Sequence, residues 1–327
     1  MCRSFLSVWK DEDGKEILDG RNNLGVVSVN IPRIAIEAEG NIDKFWELLD
    51  IRCELAHKAL QGRMAVLKDL TAEASPALYQ QGVFGKRLKP TDKPWDELFK
   101  DNRASVSLGY LGIHETVCML LGIEKVLHNK EAESLGIEIC KFLKSKTDMW
   151  KKAENIGYSL YSTPSEGLCD RFLRLDRIKY GIIQNVTDKD YYQNSFHLDV
   201  REGATPFEKI LYEAPYHFIA TGGHISYCEF DGSIRNNLEA LETVWDFAVE
   251  HLNYFGTNVP SNKCFDCGYD GDMKVNDNED WYCPECGNDD KEKLSVVLRI
   301  TGYLGEVNQR PVNHGKLMEM VRRVKHS

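Results

Sequence analysis

The sequence has no long apolar segment and no excess of positive charge. Within its 327 residues no run approaches the roughly 18 apolar residues of a membrane-spanning helix, and the first residues lack the pattern of a secretory signal peptide. Acidic residues outnumber basic ones by 51 to 41, and this balance argues against a protein that coats nucleic acid. We therefore predict a cytoplasmic protein that makes no direct contact with nucleic acid or a membrane.

Repeats and low-complexity segments are also missing, and the apolar and charged fractions, 42% and 28%, are ordinary for a globular protein. The ten cysteines are more informative. Without a secretory signal they indicate a reducing compartment, in which thiols bind metal or take part in chemistry instead of forming disulfides.

Strand and helix patterns alternate along the chain. Predicted strands cover 24–30, 105–111, 158–162, 194–200, 222–230 and 294–300, and predicted helices cover 42–70, 114–121, 131–156, 206–214 and 236–254. Asn41 is placed to cap the first helix, and Arg322–Lys325 is interpreted as a solvated helix end. The alternation predicts parallel strand pairing in an α/β sheet or barrel.

Four cysteines near the C-terminus have the spacing of a zinc ribbon. They are Cys264, Cys267, Cys283 and Cys286, in the pattern C-x2-C-x15-C-x2-C. Two such pairs complete a tetrahedral site of four thiolates, which leaves no open position for catalysis, so we predict a structural zinc ion. The alternative is two unrelated pairs of buried cysteines. A nucleic-acid-binding ribbon is disfavoured because acidic residues dominate between Lys263 and Glu292.

Gly302 follows the last predicted strand and leaves two interpretations open. One is a turn glycine at a strand end, since glycine suits tight turns. The other is a radical site, because a planar, delocalised Cα radical would be crowded by a side chain. The residues around Gly302 do not by themselves decide between the two.

Four segments together resemble the anaerobic, glycyl-radical ribonucleotide reductases. They are the zinc ribbon followed by Arg299-Ile-Thr-Gly-Tyr303, the N-terminal Met1-Cys2-Arg3-Ser4-Phe5-Leu6, and the stretches Gly20–Val27 and Asn30–Ala35. The resemblance spans nearly the whole chain but only the C-terminal half of the family's length. It implies the C-terminal half of a ten-stranded α/β barrel of the glycyl-radical enzyme type, with a small zinc ribbon.

The expected domains are a finger loop and second half-barrel (1–258), the zinc ribbon (259–293), and the glycyl-radical loop with the tail (294–327). The resemblance also implies roles for single residues. Gly302 would store the radical. Cys2, at the tip of the finger loop, would become a transient thiyl radical that takes the ribose 3′-hydrogen. Asn23 would bind substrate hydroxyls, although Asn22 is an adjacent candidate. One departure is that Met1 stands where the family usually has glycine.

The implied function is reduction of ribonucleoside triphosphates, with formate as reductant. A radical-SAM activase carrying a 4Fe-4S cluster would use S-adenosylmethionine to generate the Gly302 radical. We expect a separate N-terminal half as partner, and a homodimer of the complete enzyme.

The alternatives are another glycyl-radical enzyme, such as an acyl lyase or decarboxylase, and a non-catalytic zinc-ribbon interaction fragment. Two minor hypotheses are a phosphate contact at Gly222–His224 and core packing for the remaining cysteines, Cys53, Cys118, Cys140, Cys169 and Cys228.

Overall fold

The computed structural model describes residues 4–5, 9–10, 13–18, 20–99 and 103–326, which form a mixed α/β fold. The strands are β1 (Trp9–Lys10), β2 (Glu16–Ile17), β3 (Asn22–Asn30), β4 (Ala104–Leu111), β5 (Gly157–Ser162), β6 (Ser226–Glu229), β7 (Phe255–Asn258), β8 (Ser261–Cys264), β9 (Lys274–Val275), β10 (Trp281–Tyr282), β11 (Leu294–Arg299) and β12 (Leu304–Glu306). The helices are α1 (Ile31–Glu37), α2 (Ile42–Asp69), α3 (Pro76–Tyr79), α4 (Ile113–Leu121), α5 (Lys130–Glu154), α6 (Leu168–Tyr180), α7 (Pro206–Ile219), α8 (Leu238–His251) and α9 (His314–Val321).

Parallel strands form the centre of the fold. Strands β3, β4 and β5 pair in that order, with Val27 opposite Leu108 and Leu108 opposite Leu160. A parallel bridge from Tyr161 to Gly223 leads on to the parallel pair β6 and β7. The parallel pairing predicted from the sequence is confirmed. Within the described ranges these strands form an open arrangement, and no closed barrel is present.

The two faces of the central sheet differ in chemistry. Val106 and Leu108 of β4 belong to the main apolar core together with helices α2 and α5. Side chains alternate along a strand, so Ser107 and Gly109 lie on the opposite face. That face is polar, and it carries hydrogen bonds between strands that are described with the site below.

Helix α2 shows how the sequence specifies this packing. Its N-terminus is capped as predicted, because the Asn41 side chain accepts a hydrogen bond from the N–H of Lys44. Its buried residues recur at intervals of three or four, which is the period of one helix face: Phe45, Leu49, Cys53, Ala56, Leu60 and Met64. Along the described part of the chain no helix is long and apolar enough to cross a membrane.

Two sequence predictions are wrong. Residues 194–200 form no strand; Asn194 makes a single bridge to Leu111, and the backbone turns at Ser195, which has a φ of 41°. The polar residues of this segment make buried contacts instead of pairing in a sheet. For example, Asp199 binds the Lys189 ammonium at 2.9 Å. The segment Arg322–Lys325 is not simply a solvated helix end, because the Arg323 side chain is buried.

Candidate functional site

The four predicted zinc ligands lie together. Their Sγ atoms are all within 4.8 Å of one another, with 3.7 Å between Cys264 and Cys286 and 3.6 Å between Cys267 and Cys283. A tetrahedron with Zn–S bonds of about 2.3 Å has sulfur atoms about 3.8 Å apart. The spacing therefore fits one zinc ion, and the alternative of two unrelated cysteine pairs is excluded.

Two matching turns present these sulfurs. The N–H of Gly268 donates to the carbonyl of Cys264 at 3.0 Å, and the N–H of Gly287 donates to that of Cys283 at 2.9 Å. Both glycines have positive φ, 78° and 75°, which L side chains rarely adopt. Each turn is therefore specified by the glycine that follows its second cysteine.

The thiols at this cluster affect one another's ionisation. Burial opposes ionisation of Cys264, but backbone N–H groups and the Asn288 amide lower its pKa to about 6. A backbone N–H favours ionisation of Cys267 as well, yet burial and the other three sulfurs raise the pKa of Cys267 to about 12. Four thiolates in one place thus require a cation, which is the chemistry that zinc supplies.

One strand connects the cysteine cluster to Gly302. Strand β11 pairs with β8, with Leu294 opposite Cys264, and then runs to Arg299. Arg299 pairs with Leu304 of β12, so that residues 300–303 form the hairpin loop, closed by the N–H of Ile300 donating to the carbonyl of Tyr303 at 2.9 Å. We call residues 299–304 the glycine hairpin. Its Ile300 shares one core cluster with the buried ligands Cys264 and Cys283, so the ribbon and the hairpin pack as one piece.

The glycine hairpin is fixed to the parallel pair β6 and β7 by Arg299. Its guanidinium donates to Glu229, at the end of β6, from Nε at 2.7 Å and from Nη2 at 2.5 Å. Nη1 donates to the carbonyl of Thr301 at 2.6 Å. Burial favours the neutral acid, but Arg299 and Arg323 lower the pKa of Glu229 to about 2, so the carboxylate stays charged.

A second anchor lies directly after Gly302. The Tyr303 hydroxyl donates to Glu166 at 2.6 Å, and Arg310 binds both the hydroxyl and the Glu166 carboxylate, the latter at 2.9 Å. Gly302 itself is half-buried. The loop is therefore held on both sides by side chains from other parts of the fold.

Asn23 lies on the polar face of the central sheet. Its Nδ2 donates to Ser107 at 2.7 Å and to Ser4 at 3.3 Å, and its Oδ1 accepts from the N–H of Gly25 at 2.9 Å. Ser107 in turn bonds Ser159 at 2.9 Å. A chain of polar groups thus crosses three adjacent strands. Among the described residues, neither side-chain polar atom of Asn22 has a hydrogen-bond partner.

Part of the predicted finger loop lies beside these groups. The N–H of Phe5 donates to the carbonyl of Gly222 at 2.8 Å, and its ring centroid is 4.7 Å from that of His224. Cys2 lies outside the described residues. The structure therefore brings Ser4 and Phe5, close to Cys2 in sequence, between Asn23 and Gly222.

The phosphate hypothesis for Gly222–His224 has no support from the geometry. The N–H of Gly222 donates to the carbonyl of Leu160 at 2.6 Å, and that of Gly223 donates to the carbonyl of Ala220 at 3.3 Å. Both amides that would face a phosphate are already used. The prediction of core packing for the five remaining cysteines is confirmed, since all are buried.

Sequence reasoning missed Glu166, Glu229 and Arg323. Glu229 gave a usable signal, because a carboxylate inside the apolar run Ile225–Phe230 must find a partner when the strand is buried. Glu166 and Arg323 gave none, since the groups of the glycine hairpin that they bind lie far away in sequence.

Solved structures share this fold. The chain superposes on an anaerobic ribonucleotide reductase with a TM-score of 0.67 at 21% identity, covering 93% of this chain and 44% of the other. The Thermotoga maritima anaerobic ribonucleotide reductase with glycerol in the active site gives a TM-score of 0.63 at 21% identity, with 94% and 45% covered. A Roseburia inulinivorans structure on 1,2-propanediol dehydration gives 0.56 at 11% identity, with 99% and 45% covered. The fold is thus a mixed α/β fold that resembles glycyl-radical enzymes.

Sequence comparison identifies the family. The profile of the anaerobic ribonucleoside-triphosphate reductases matches residues 1–326. The enzymes of that name from Escherichia coli and from phage T4 are each 50% identical, over 99% of this chain. The chain belongs to the anaerobic ribonucleoside-triphosphate reductase family. It spans about half the length of these relatives, 45% of the E. coli protein and 52% of the T4 protein.

Proposed function

We propose that this chain is the C-terminal, radical-bearing part of an anaerobic ribonucleoside-triphosphate reductase. The observation that carries the proposal is the connection of the four-cysteine cluster, through β11, to the hairpin that contains Gly302. Family membership over residues 1–326 makes the reductase the best-supported chemistry. The proposed substrates are ribonucleoside triphosphates, which lose the 2′-hydroxyl.

In this proposal Gly302 stores the radical and Cys2 uses it. A radical-SAM activase with an iron–sulfur cluster and S-adenosylmethionine removes one α-hydrogen of Gly302. Gly302 then takes the thiol hydrogen of Cys2, and the Cys2 thiyl takes the ribose 3′-hydrogen. The 2′-hydroxyl accepts a proton and leaves as water, and formate gives two electrons and a proton to the 2′ carbon as it becomes carbon dioxide. Cys2 then returns its hydrogen to the 3′ carbon and is again a thiyl. Asn23 orients the substrate hydroxyls from the polar face of the sheet.

The four cysteines would hold a zinc ion with a structural role. The cluster shares a core with Ile300 of the glycine hairpin, so the ion would fix the hairpin and take no part in electron transfer.

The remaining part of the enzyme is proposed to be a separate or preceding N-terminal half. It would bring the strands that complete a ten-stranded barrel, nucleotide-binding regulatory sites and a second cysteine, and the complete enzyme would be a homodimer. In support, the described parallel sheet is open, and the chain covers only about half of its relatives. Open strand edges and apolar surfaces are normally covered in a stable protein.

Anaerobic activation tests the proposal. The chain, combined with its N-terminal half, the activase, S-adenosylmethionine and a reductant, should give an EPR doublet from the remaining α-hydrogen of Gly302. Gly302→Ala should give no doublet, whereas Gly305→Ala, in the adjoining strand β12, should keep it. Cys2→Ser should form the doublet but no deoxyribonucleotide, because a hydroxyl O–H bond is too strong for a glycyl radical. Substantial product from Cys2→Ser, or a full doublet in Gly302→Ala, would contradict the assignment.

A further inference from the structure

The last described residues of the chain contact the glycine hairpin. Arg323 follows α9, and its side chain is only 4% exposed. Its Nη2 donates to the carbonyl of Ile300 at 2.8 Å, and its Nη1 donates to the carbonyl of Arg299. These are two of the three residues directly before Gly302.

Two acidic residues hold Arg323 in this place. Glu319, one turn earlier on α9, accepts from Nε at 3.1 Å and from Nη2 at 2.8 Å. Glu229 lies 4.0 Å away and also binds Arg299. A buried guanidinium is costly unless it is paired, and here each side of the planar group has a partner.

Residues 323–326 form a strap along the end of strand β6. The N–H of Val324 donates to the carbonyl of Val200 at 2.8 Å. His326 and Glu229 bond each other twice: the N–H of His326 donates to the Glu229 carbonyl at 2.7 Å, and the N–H of Glu229 donates to Nδ1 of His326 at 2.9 Å. The strap, residues 323–326, therefore joins the glycine hairpin to the end of β6.

We propose that Arg323 is a positioning residue for Gly302. We also propose that the strap holds the glycine hairpin in a fixed position relative to the polar face of the central sheet. A planar fork of donors can hold two successive carbonyls at once, which fixes the peptide planes leading into the loop. Lysine has one ammonium on a flexible stem and cannot reproduce this geometry. The consequence for radical transfer rests on the proposed function, whereas the fixing of the loop does not.

The first experiment measures the loop itself. Arg323→Met and Arg323→Lys are compared with Arg322→Met in the zinc-loaded enzyme, because Arg322 is the neighbouring arginine but is more exposed and pairs with Asp190 at 2.8 Å. Hydrogen exchange of the amides in residues 300–304 should rise at least tenfold in Arg323→Met, less in Arg323→Lys, and not in Arg322→Met. All variants should keep one zinc. Wild-type exchange in both Arg323 variants would overturn the proposal.

The second experiment separates positioning from stability. After anaerobic activation, Arg323→Met should form the radical, but deoxyribonucleotide made per radical should fall at least tenfold, with Arg323→Lys between it and wild type. A merely structural role would lower the amount of active enzyme and leave product per radical unchanged, and that result would refute the positioning role. If the wild-type enzyme gives no doublet, the proposed function fails, and the exchange measurement still decides whether Arg323 fixes the loop.

Discussion

Replacing Cys283, a buried member of the four-cysteine cluster, with alanine should unfold the ribbon and loosen the glycine hairpin. Cys283 is fully buried, and its sulfur lies 3.6 Å from that of Cys267. Without it three thiols remain, which cannot complete a closed tetrahedral site. We expect the Cys283→Ala chain to contain much less than one zinc ion after purification without chelators.

The expected magnitude follows from what else stabilises the ribbon. Strands β9 and β10 have two residues each, and the largest apolar side chains that the ribbon buries are Met273 and Trp281. Burial of each is worth about 2–3 kcal/mol. Zinc binding in comparable ribbons is worth about 10–16 kcal/mol, so the metal is the dominant stabilising contribution. Its loss should also release Leu294, which pairs with Cys264, and therefore β11.

Hydrogen exchange with metal analysis checks this expectation. Amides of residues 264–300 should lose protection in Cys283→Ala, while those of α2 and α5 keep it. The control is Cys53→Ala, which removes a buried thiol from α2 and should cost about 1–3 kcal/mol without affecting zinc or ribbon exchange. A Cys283→Ala chain that retained one zinc and normal protection in residues 264–300 would refute the reasoning.

Three further predictions concern the central fold. First, burial lowers the pKa of His114 and His326 to about 4 and that of His217 to about 3, and it also lowers the pKa of His224. As the pH falls from 6.5 to 5, the unfolded chain therefore binds protons at these histidines that the folded chain excludes. Burial raises the pKa of Glu202 to about 7, which offsets one of these protons. The free energy of unfolding should fall as the pH is lowered, and the balance of His114, His326 and His217 against Glu202 gives a slope that approaches about 2.7 kcal/mol per pH unit near pH 5; an unchanged melting temperature at saturating zinc between pH 6.5 and 5 would contradict this. Second, Lys189→Met should cost about 3–5 kcal/mol in urea unfolding, because it removes the buried ammonium that Glu115 and Asp199 share and leaves Arg201 to pair with Asp199 alone. Lys144→Met, at a more exposed pair with Asp148, should cost under about 0.5 kcal/mol. Third, Gly109→Ala should cost about 1–3 kcal/mol, since its Cβ would lie 2.5 Å from Ser28 Oγ. Gly62→Ala, whose Cβ would meet no atom of the described residues within 4 Å, should stabilise α2 by about 0.5–1 kcal/mol. Equal effects of the two glycine substitutions on the melting temperature would be inconsistent with the packing.

Local patterns predicted the elements whose causes are local. Helix α2 begins at the predicted residue because Asn41 provides its own cap, and its apolar residues repeat with the helical period. The clustering of the four cysteines was predictable because each cysteine pair and its following glycine form a turn by themselves. The rest of the fold had only to bring these two turns close together.

Features that depend on distant partners were not predictable. Residues 194–200 have a strand-like pattern, but Asn194 accepts from the N–H of Ser165 and Asp199 binds Lys189, so the backbone follows these contacts instead of a ladder. Arg323 resembles any basic residue near a helix end, and its burial follows from contacts with Arg299 and Ile300, more than twenty residues away. A sequence pattern shows periodicity, but it does not show which buried charged residues will pair with each other in the fold.

Glu229 shows why these long-range contacts matter for the site. Its carboxylate binds Arg299 of the glycine hairpin, and its backbone binds His326 of the strap. The carboxylate also accepts from Asn258 of β7 at 2.5 Å, so one residue joins two parallel strands, the hairpin and the strap. Because the pKa of Glu229 is held at about 2 by the two arginines, this junction stays charged throughout the physiological range. The cysteine cluster and Glu229 therefore fix the Gly302 loop from opposite ends of β11, the first through the ribbon and the second through the parallel pair β6 and β7.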